Sequence, residues 1–213
     1  MSNMPALTEH LHWIGHDSFR IDHPARVYID PWKLPDGSPQ ADLILVSHEH
    51  GDHCSPDDVQ AIRGPETIVV ANPGAAEELA PPVEVMRPGE MKSVLGVTVH
   101  AVPAYNIEKH FHPKEANHLG FILEIDGERL YFAGDTDHID EMKTIECDVA
   151  LLPVSGKYVM DADEAAEAAM TLRPKLAIPM HYGAGVVGTL ADAERFQSLS
   201  EIPVRILLAE AAT

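Results

Sequence analysis

The stretch SHEHGDH, Ser47 to His53, packs three histidines and two acids into seven residues. Histidine is the commonest metal ligand. In extended chain His48 and His50 project from one face. Gly51 then lets the backbone turn, so Asp52 and His53 can address a neighbouring position. One segment can thus serve two adjacent cations. Nitrogen and carboxylate donors suit zinc, and also manganese or iron.

The same residue types recur where apolar runs stop. LILVS leads into His48, RLYFAG into Asp135, LAIPM into His181 and RVYI into Asp30. In α/β architectures ligands bind at the carboxyl ends of the strands. A single strand-end histidine is more often a solvated loop residue than a ligand. Four such ends point to one shared site.

The elements that must position these ends are short. Strands are expected at 11–16, 18–22, 26–30, 43–47, 67–71, 83–86, 92–95, 97–104 and 148–155, with further strands at 176–182 and 204–210. HLGFILEI and RLYFAGD flank Asp126–Gly127, a hairpin signal. Ser55 and Pro56 open one helix, Asn72 and Pro73 a second. A short helical stretch is expected near 138–145. Asp161 caps a helix over 163–172, and another runs from about 190 to 200. Residues 105–117 form a polar loop, long enough to hint at function. The pattern is a mixed α/β (α+β) fold of layered sheets and outer helices, a single domain over 1–213.

Composition narrows the setting. Thirteen histidines stand against seven lysines, and the formal net charge is −19. Such acidity disfavours nucleic acid as a partner, and fits a soluble or salt-adapted surface. No apolar run is long enough to span a membrane, and the N-terminus lacks a secretory pattern. Two cysteines, Cys54 and Cys147, make no disulfide framework, which fits a reducing cytoplasm. A small-molecule substrate is the expected partner, and a homo-oligomer is open.

HEHGDH matches the H-x-H-x-D-H motif of the metallo-β-lactamase superfamily, with YIDPW before it and YFAGDTD and IPMHY after it. The chain resembles this superfamily from WIGHDSF to PMHY, and within it the small hydrolases of the ascorbate-6-phosphate lactonase type. The resemblance implies a four-layer αβ/βα sandwich and two divalent metal ions (Zn, Mn or Fe). It assigns His48 and His50 to the first ion, Asp52, His53 and His181 to the second, and Asp135 as a bridge. Asp30 would orient a ligand imidazole by hydrogen bond.

One position departs from that pattern. The superfamily usually adds a third histidine to the first ion, where this chain reads AVPAYN, with Ala104 or a neighbour in its place. The following loop holds His110 and His112, and His118 comes after it. His112 is the favoured substitute; the competing reading leaves it facing substrate or solvent. His100 reads as structural. His16 lines the pocket or packs behind it. Cys54 reads as a small buried residue opening a helix. Lys157 and Tyr158 bind an anionic substrate group or lie on the surface. Asp137 joins the bridge or caps the next helix.

The resemblance implies a hydrolase in which metal-activated hydroxide attacks an ester, lactone, amide or phosphodiester bond of a small substrate. Asp52 would steer the nucleophile or accept a proton, with Asp30 behind it. The alternatives are a redox or sensory iron protein of the same fold, and a binding module whose metal is structural.

Overall fold

The computed structural model describes residues 4–210; the outermost residues of the expected 1–213 domain lie outside them. The first sheet is built from β1 (Leu11–Gly15), β2 (Ser18–Ile21), β3 (Val27–Ile29), β4 (Ala41–Val46), β5 (Arg63–Ala71) and β6 (Glu84–Val85), ordered as in the sequence. The second comprises β7 (Met91–Val94), β8 (Val97–Pro103), β9 (Leu119–Ile125), β10 (Glu128–Phe132), β11 (Val149–Pro153) and β12 (Leu176–Met180), also consecutive. Each sheet combines antiparallel hairpins with a parallel part. In the first, β3, β4, β5 and β6 run parallel; in the second, β10, β11 and β12 do.

The layering follows from strands buried on both faces. In β4, Leu43 and Leu45 join the main core between the sheets, together with Phe19, Phe121 and Phe132. Their neighbours Ile44 and Val46 point the other way, against Val59 and Ile62 of α1 (Pro56–Ile62) and Ala75 of α2 (Pro73–Glu78). On the second sheet α3 (Ala162–Leu172) and α4 (Leu190–Leu199) pack on each other, α3 against β11 and α4 against β12. The order helix, sheet, sheet, helix is the expected four-layer αβ/βα sandwich. Among the described residues no helix is long and apolar enough to cross a membrane.

Local signals act as expected. Ser55 and Asn72 cap α1 and α2 by accepting from the amides of Asp58 and Ala75, and Asp161 forms a capping box with Glu164. Asp126 and Gly127 both take positive φ, as a tight type I′ hairpin turn requires. The stretch near 138–145 forms a 3-10 turn over Asp140–Thr144.

One expected strand fails. Residues 204–210 make a single bridge from Val204 to Ala177, with Ala177 N–H donating to Pro203 and Arg205 N–H donating to Ala177. The next rung of a parallel ladder would need an N–H from Pro179, which has none. The ladder ends there, and the chain crosses to β1, where Glu210 N–H donates to the Trp13 carbonyl.

Candidate metal centre

The carboxyl ends of β3, β4, β10 and β12 meet at one edge of the sandwich. Three residues there hold left-handed backbone conformations without being glycine: His16 (φ 52°), Asp30 (φ 44°) and His181 (φ 62°). Such conformations cost free energy, and they cluster where function requires them. Gly134 makes the approach of Asp135 possible. It has φ +67°, and a Cβ there would lie 2.5 Å from the Leu119 carbonyl oxygen.

Three imidazoles converge first. His48 Nε2 lies 3.1 Å from His50 Nδ1, and His112 Nε2 lies 3.2 Å from that same atom. Asp135 Oδ2 is 3.2 Å from His112 Nε2 and 4.0 Å from His48 Nε2. The far side of each ring settles its tautomer. His112 Nδ1 faces two oxygens, Asn106 Oδ1 at 3.1 Å and the Tyr158 carbonyl at 3.3 Å. Asn106 Oδ1 also accepts from the His112 amide, while Asn106 Nδ2 donates to Asp137 and to Tyr158. The Nδ1 of His112 therefore carries hydrogen, and its Nε2 points into the cluster. Ser47 Oγ donates to Asp30 Oδ2 at 2.5 Å and so accepts from His48 Nδ1 at 2.9 Å. Burial lowers His48 well below the usual imidazole range, so its Nε2 turns a lone pair into the cluster. The one hydrogen that His50 Nδ1 can carry cannot serve both His48 Nε2 and His112 Nε2 fully, and Asp135 brings a further acceptor, so the cluster is short of positive charge.

The second cluster shares Asp135. His53 Nδ1 donates to Asp30 Oδ2 at 2.8 Å, and its Nε2 faces Asp135 Oδ1 at 3.4 Å. His181 Nδ1 is hydrogen-bonded to Ser155 Oγ at 2.7 Å, and its Nε2 lies 3.3 Å from Asp135 Oδ2. His53 Nε2, His181 Nε2 and Asp135 Oδ1 are buried without any hydrogen-bond partner. Buried polar atoms are normally satisfied, so a group of orphans around one point marks a ligand position. Asp52 approaches from the open side: its Oδ2 is 3.9 Å from His53 Nε2 and is held by His16 Nε2 at 3.1 Å.

The electrostatics show the same demand for positive charge. Burial works to lower His181, but the Asp135 and Asp17 carboxylates outweigh it and push it up to about 9. Burial works to raise Asp135, and the His181 and His53 imidazoles hold it well below the carboxylate range. Burial brings His16 down to about 4 against the pull of the Asp52 bond, so His16 is a neutral donor.

The residues singled out from sequence sort clearly. His48, His50, Asp52, His53, His112, Asp135 and His181 come together, with Asp30 behind His53 and Ser47. His112, rather than His110, enters the cluster; His110 is exposed and lines a separate cavity of about 590 Å³ on the outer side of the loop. His118 lies beneath, its ring stacked on His48 at 4.7 Å and bonded to Glu49. His100 sits within β8, 4.0 Å from Glu124. Cys54 is buried behind the motif in the core beneath α1 and α2, outside the ligand groups, and burial pushes its thiol up to about 12. Asp137 neither reaches the bridge nor caps a helix. It ties down the loop, accepting from the Ile107 amide at 2.9 Å and from Lys109 at 2.6 Å. Lys157 is exposed, outside the cavity over the cluster, whereas Tyr158 lines it. Asp17 is wholly buried beside His53 and His181 and was not singled out. Its one sequence signal is an acid next to His16 in the β1–β2 turn.

The donor set fits divalent metal: imidazole nitrogens freed by hydrogen bonds on their far sides, with a carboxylate between two clusters. Comparison with known proteins agrees. The profile of the beta-lactamase superfamily domain matches residues 10–181. A UPF0173 metal-dependent hydrolase of Thermoplasma acidophilum is 33% identical over 203 residues, covering 88% of this chain and 89% of that protein. A crystal structure from Parabacteroides distasonis superposes with a TM-score of 0.83 at 34% identity, over 92% of this chain and 91% of that one. Igni18, a metallo hydrolase of Ignicoccus hospitalis, shares the fold with a TM-score of 0.77 at 24% identity, over 94% of this chain and 95% of that one. The chain belongs to the metallo-β-lactamase superfamily, among the UPF0173 metal-dependent hydrolases.

Proposed function

We propose that this protein hydrolyses a small, uncharged carbonyl compound, an ester, lactone or amide, with two divalent ions held by the two clusters. His48, His50, His112 and Asp135 would hold the first, and His53, His181, Asp52 and Asp135 the second. Bound there, such ions acidify water and polarise the oxygen of the scissile bond. The carrying observation for the ions is the convergence of His48 Nε2 and His112 Nε2 on His50 Nδ1 and Asp135.

The substrate class is argued from the cavity above the cluster. It measures about 190 Å³ and is lined by His50, Asp52, Phe111, His112, Asp135, Tyr158 and Val186. Phe111 and Tyr158 meet edge to face at 4.6 Å and form an apolar wall. No lysine or arginine is among these lining residues, so a phosphate group would enter without a cationic side chain to receive it. This favours a neutral carbonyl substrate over a phosphodiester or a sugar-phosphate lactone. Asp52 lines the cavity with Oδ2 bonded by His16, and would steer the attacking water.

The test is a substrate panel on protein stripped with EDTA and reloaded with Zn, Mn or Fe(II). Simple aryl esters and lactones should turn over at least tenfold faster than bis-p-nitrophenyl phosphate. A preference for phosphorylated substrates would overturn the substrate class. Protein that takes up no metal and gains no activity from it would overturn the hydrolase reading.

A further inference from the structure

Asp17 sits at the tip of the hairpin between β1 and β2, where a turn residue would ordinarily face water. Here the tip is drawn inward: the His16 carbonyl accepts from the His181 amide at 3.1 Å and from Trp13 Nε1 at 2.9 Å. The Asp17 carboxyl is wholly buried, and neither of its oxygens has a hydrogen-bond partner among the described residues. Its Oδ2 lies 3.6 Å from His53 Nε2 and 3.9 Å from His181 Nε2. Those two nitrogens are themselves unpartnered. A buried carboxylate without donors is among the costliest groups a fold can carry unless a cation compensates it.

We propose that Asp17 is a direct ligand of the second ion, approaching from the buried side while Asp52 approaches from the cavity. This rests on the two-ion reading above. One ligand atom each from Asp17, His53, Asp135 and His181 lies within 4.8 Å of the other three. Ligand atoms sharing one ion sit about 3–4 Å apart, since each bond is about 2.0–2.2 Å long. With Asp17 the second site gathers three carboxylates and two imidazoles. That set is harder and higher in coordination number than tetrahedral zinc requires, and favours Mn(II) or Fe(II) there.

The variants Asp17→Asn and Asp17→Ser test this alongside wild type. Each protein is stripped, dialysed against equal Mn(II) and Zn(II), and assayed for metal content and for the metal-induced rise in Tm. Wild type is expected to hold two ions with a higher Mn/Zn ratio than either variant, zinc remaining the tighter binder overall. Both variants should keep one ion, bind the second at least tenfold more weakly, and lose most of the Tm rise. Stripped Asp17→Asn should melt no lower than stripped wild type, because the carboxyl it replaces is buried without a hydrogen-bond donor among the described residues. If wild type holds two ions and the variants match it in stoichiometry, Mn/Zn ratio and Tm rise, the Asp17 assignment alone falls. If wild type binds fewer than two ions in every condition, the two-ion reading falls and takes the assignment with it. Should both variants fail to fold, a crystal structure of metal-loaded wild type decides. Direct coordination by a carboxylate oxygen of Asp17 supports the proposal, and an intervening water or a turned-away carboxyl overturns it.

Discussion

His112 Nε2 lies 3.2 Å from His50 Nδ1, although 62 residues separate them in the chain. The 105–117 loop thus delivers the nitrogen that completes the first cluster, in place of a histidine at the buried Ala104. His112→Ala should lower affinity for the first ion by at least tenfold, measured by metal content against a chelator series. His110→Ala, on the outer face of the same loop, should leave it unchanged.

Asn106 holds His112 in that tautomer and position. Its Oδ1 accepts from both the His112 ring and its amide. Outer hydrogen-bond partners of metal-binding histidines typically contribute about 10–100-fold in affinity or activity. Asn106→Leu is expected to lose an amount in that range, and to lower the Tm of the stripped protein as well, since its amide also bonds Asp137 and Tyr158. An unchanged chelator titration would remove Asn106 from this role.

Metal uptake should depend on pH through His181. In EDTA-treated protein its proton is held up to about 9, above the ordinary 6.5, because the carboxylates of Asp135 and Asp17 outweigh the effect of burial. A raised folded-state value stabilises the stripped protein fully below about pH 6.5, and that stability drains away as pH rises through about 9. The ion must displace this proton, so apparent affinity should rise with pH over the same window, by roughly tenfold per unit for one proton. Calorimetry in buffers of different ionisation enthalpy reads the proton release. Uptake independent of pH between 6.5 and 9 would contradict it.

Cys54 follows the motif directly but faces the smaller core beneath α1 and α2. Its thiol is buried and pushed up to about 12. Native protein at pH 8 should resist iodoacetamide at Cys54, with labelling appearing only on unfolding. Cys54→Ala should retain the wild-type metal content.

Gly134 sets the course of the chain into Asp135. Gly134→Ala places a Cβ against the Leu119 carbonyl at a left-handed φ. The backbone conformation alone should destabilise the fold by about 1–3 kcal/mol. Urea denaturation measures this, and a parallel loss of metal affinity is expected because Asp135 serves both clusters.

Local chemistry was legible wherever a residue acts on its own segment. Ser55, Asn72 and Asp161 cap their helices, and Asp126–Gly127 turns its hairpin, because each needs only neighbours within a few residues. The 204–210 segment reads as a strand by composition, but its ladder stops where Pro179, on another strand, offers no N–H. Asp137 reads as a ligand or cap, and its actual partners, Ile107 and Lys109, lie 30 and 28 residues earlier in the chain.

The site divides the same way. The alternation of His48 and His50, the turn at Gly51 and the acids or histidines closing four apolar runs are local patterns, so they already carry the metal chemistry and the family resemblance. Tertiary packing alone decides which loop histidine enters, since His110 and His112 are equivalent in composition and differ only in which side of the folded loop they face. It also decides that Asp17, an ordinary turn residue by sequence, is pressed between His53 and His181. Burial and the absence of donors arise from the meeting of β1–β2, β4 and β12, and no one segment encodes that meeting.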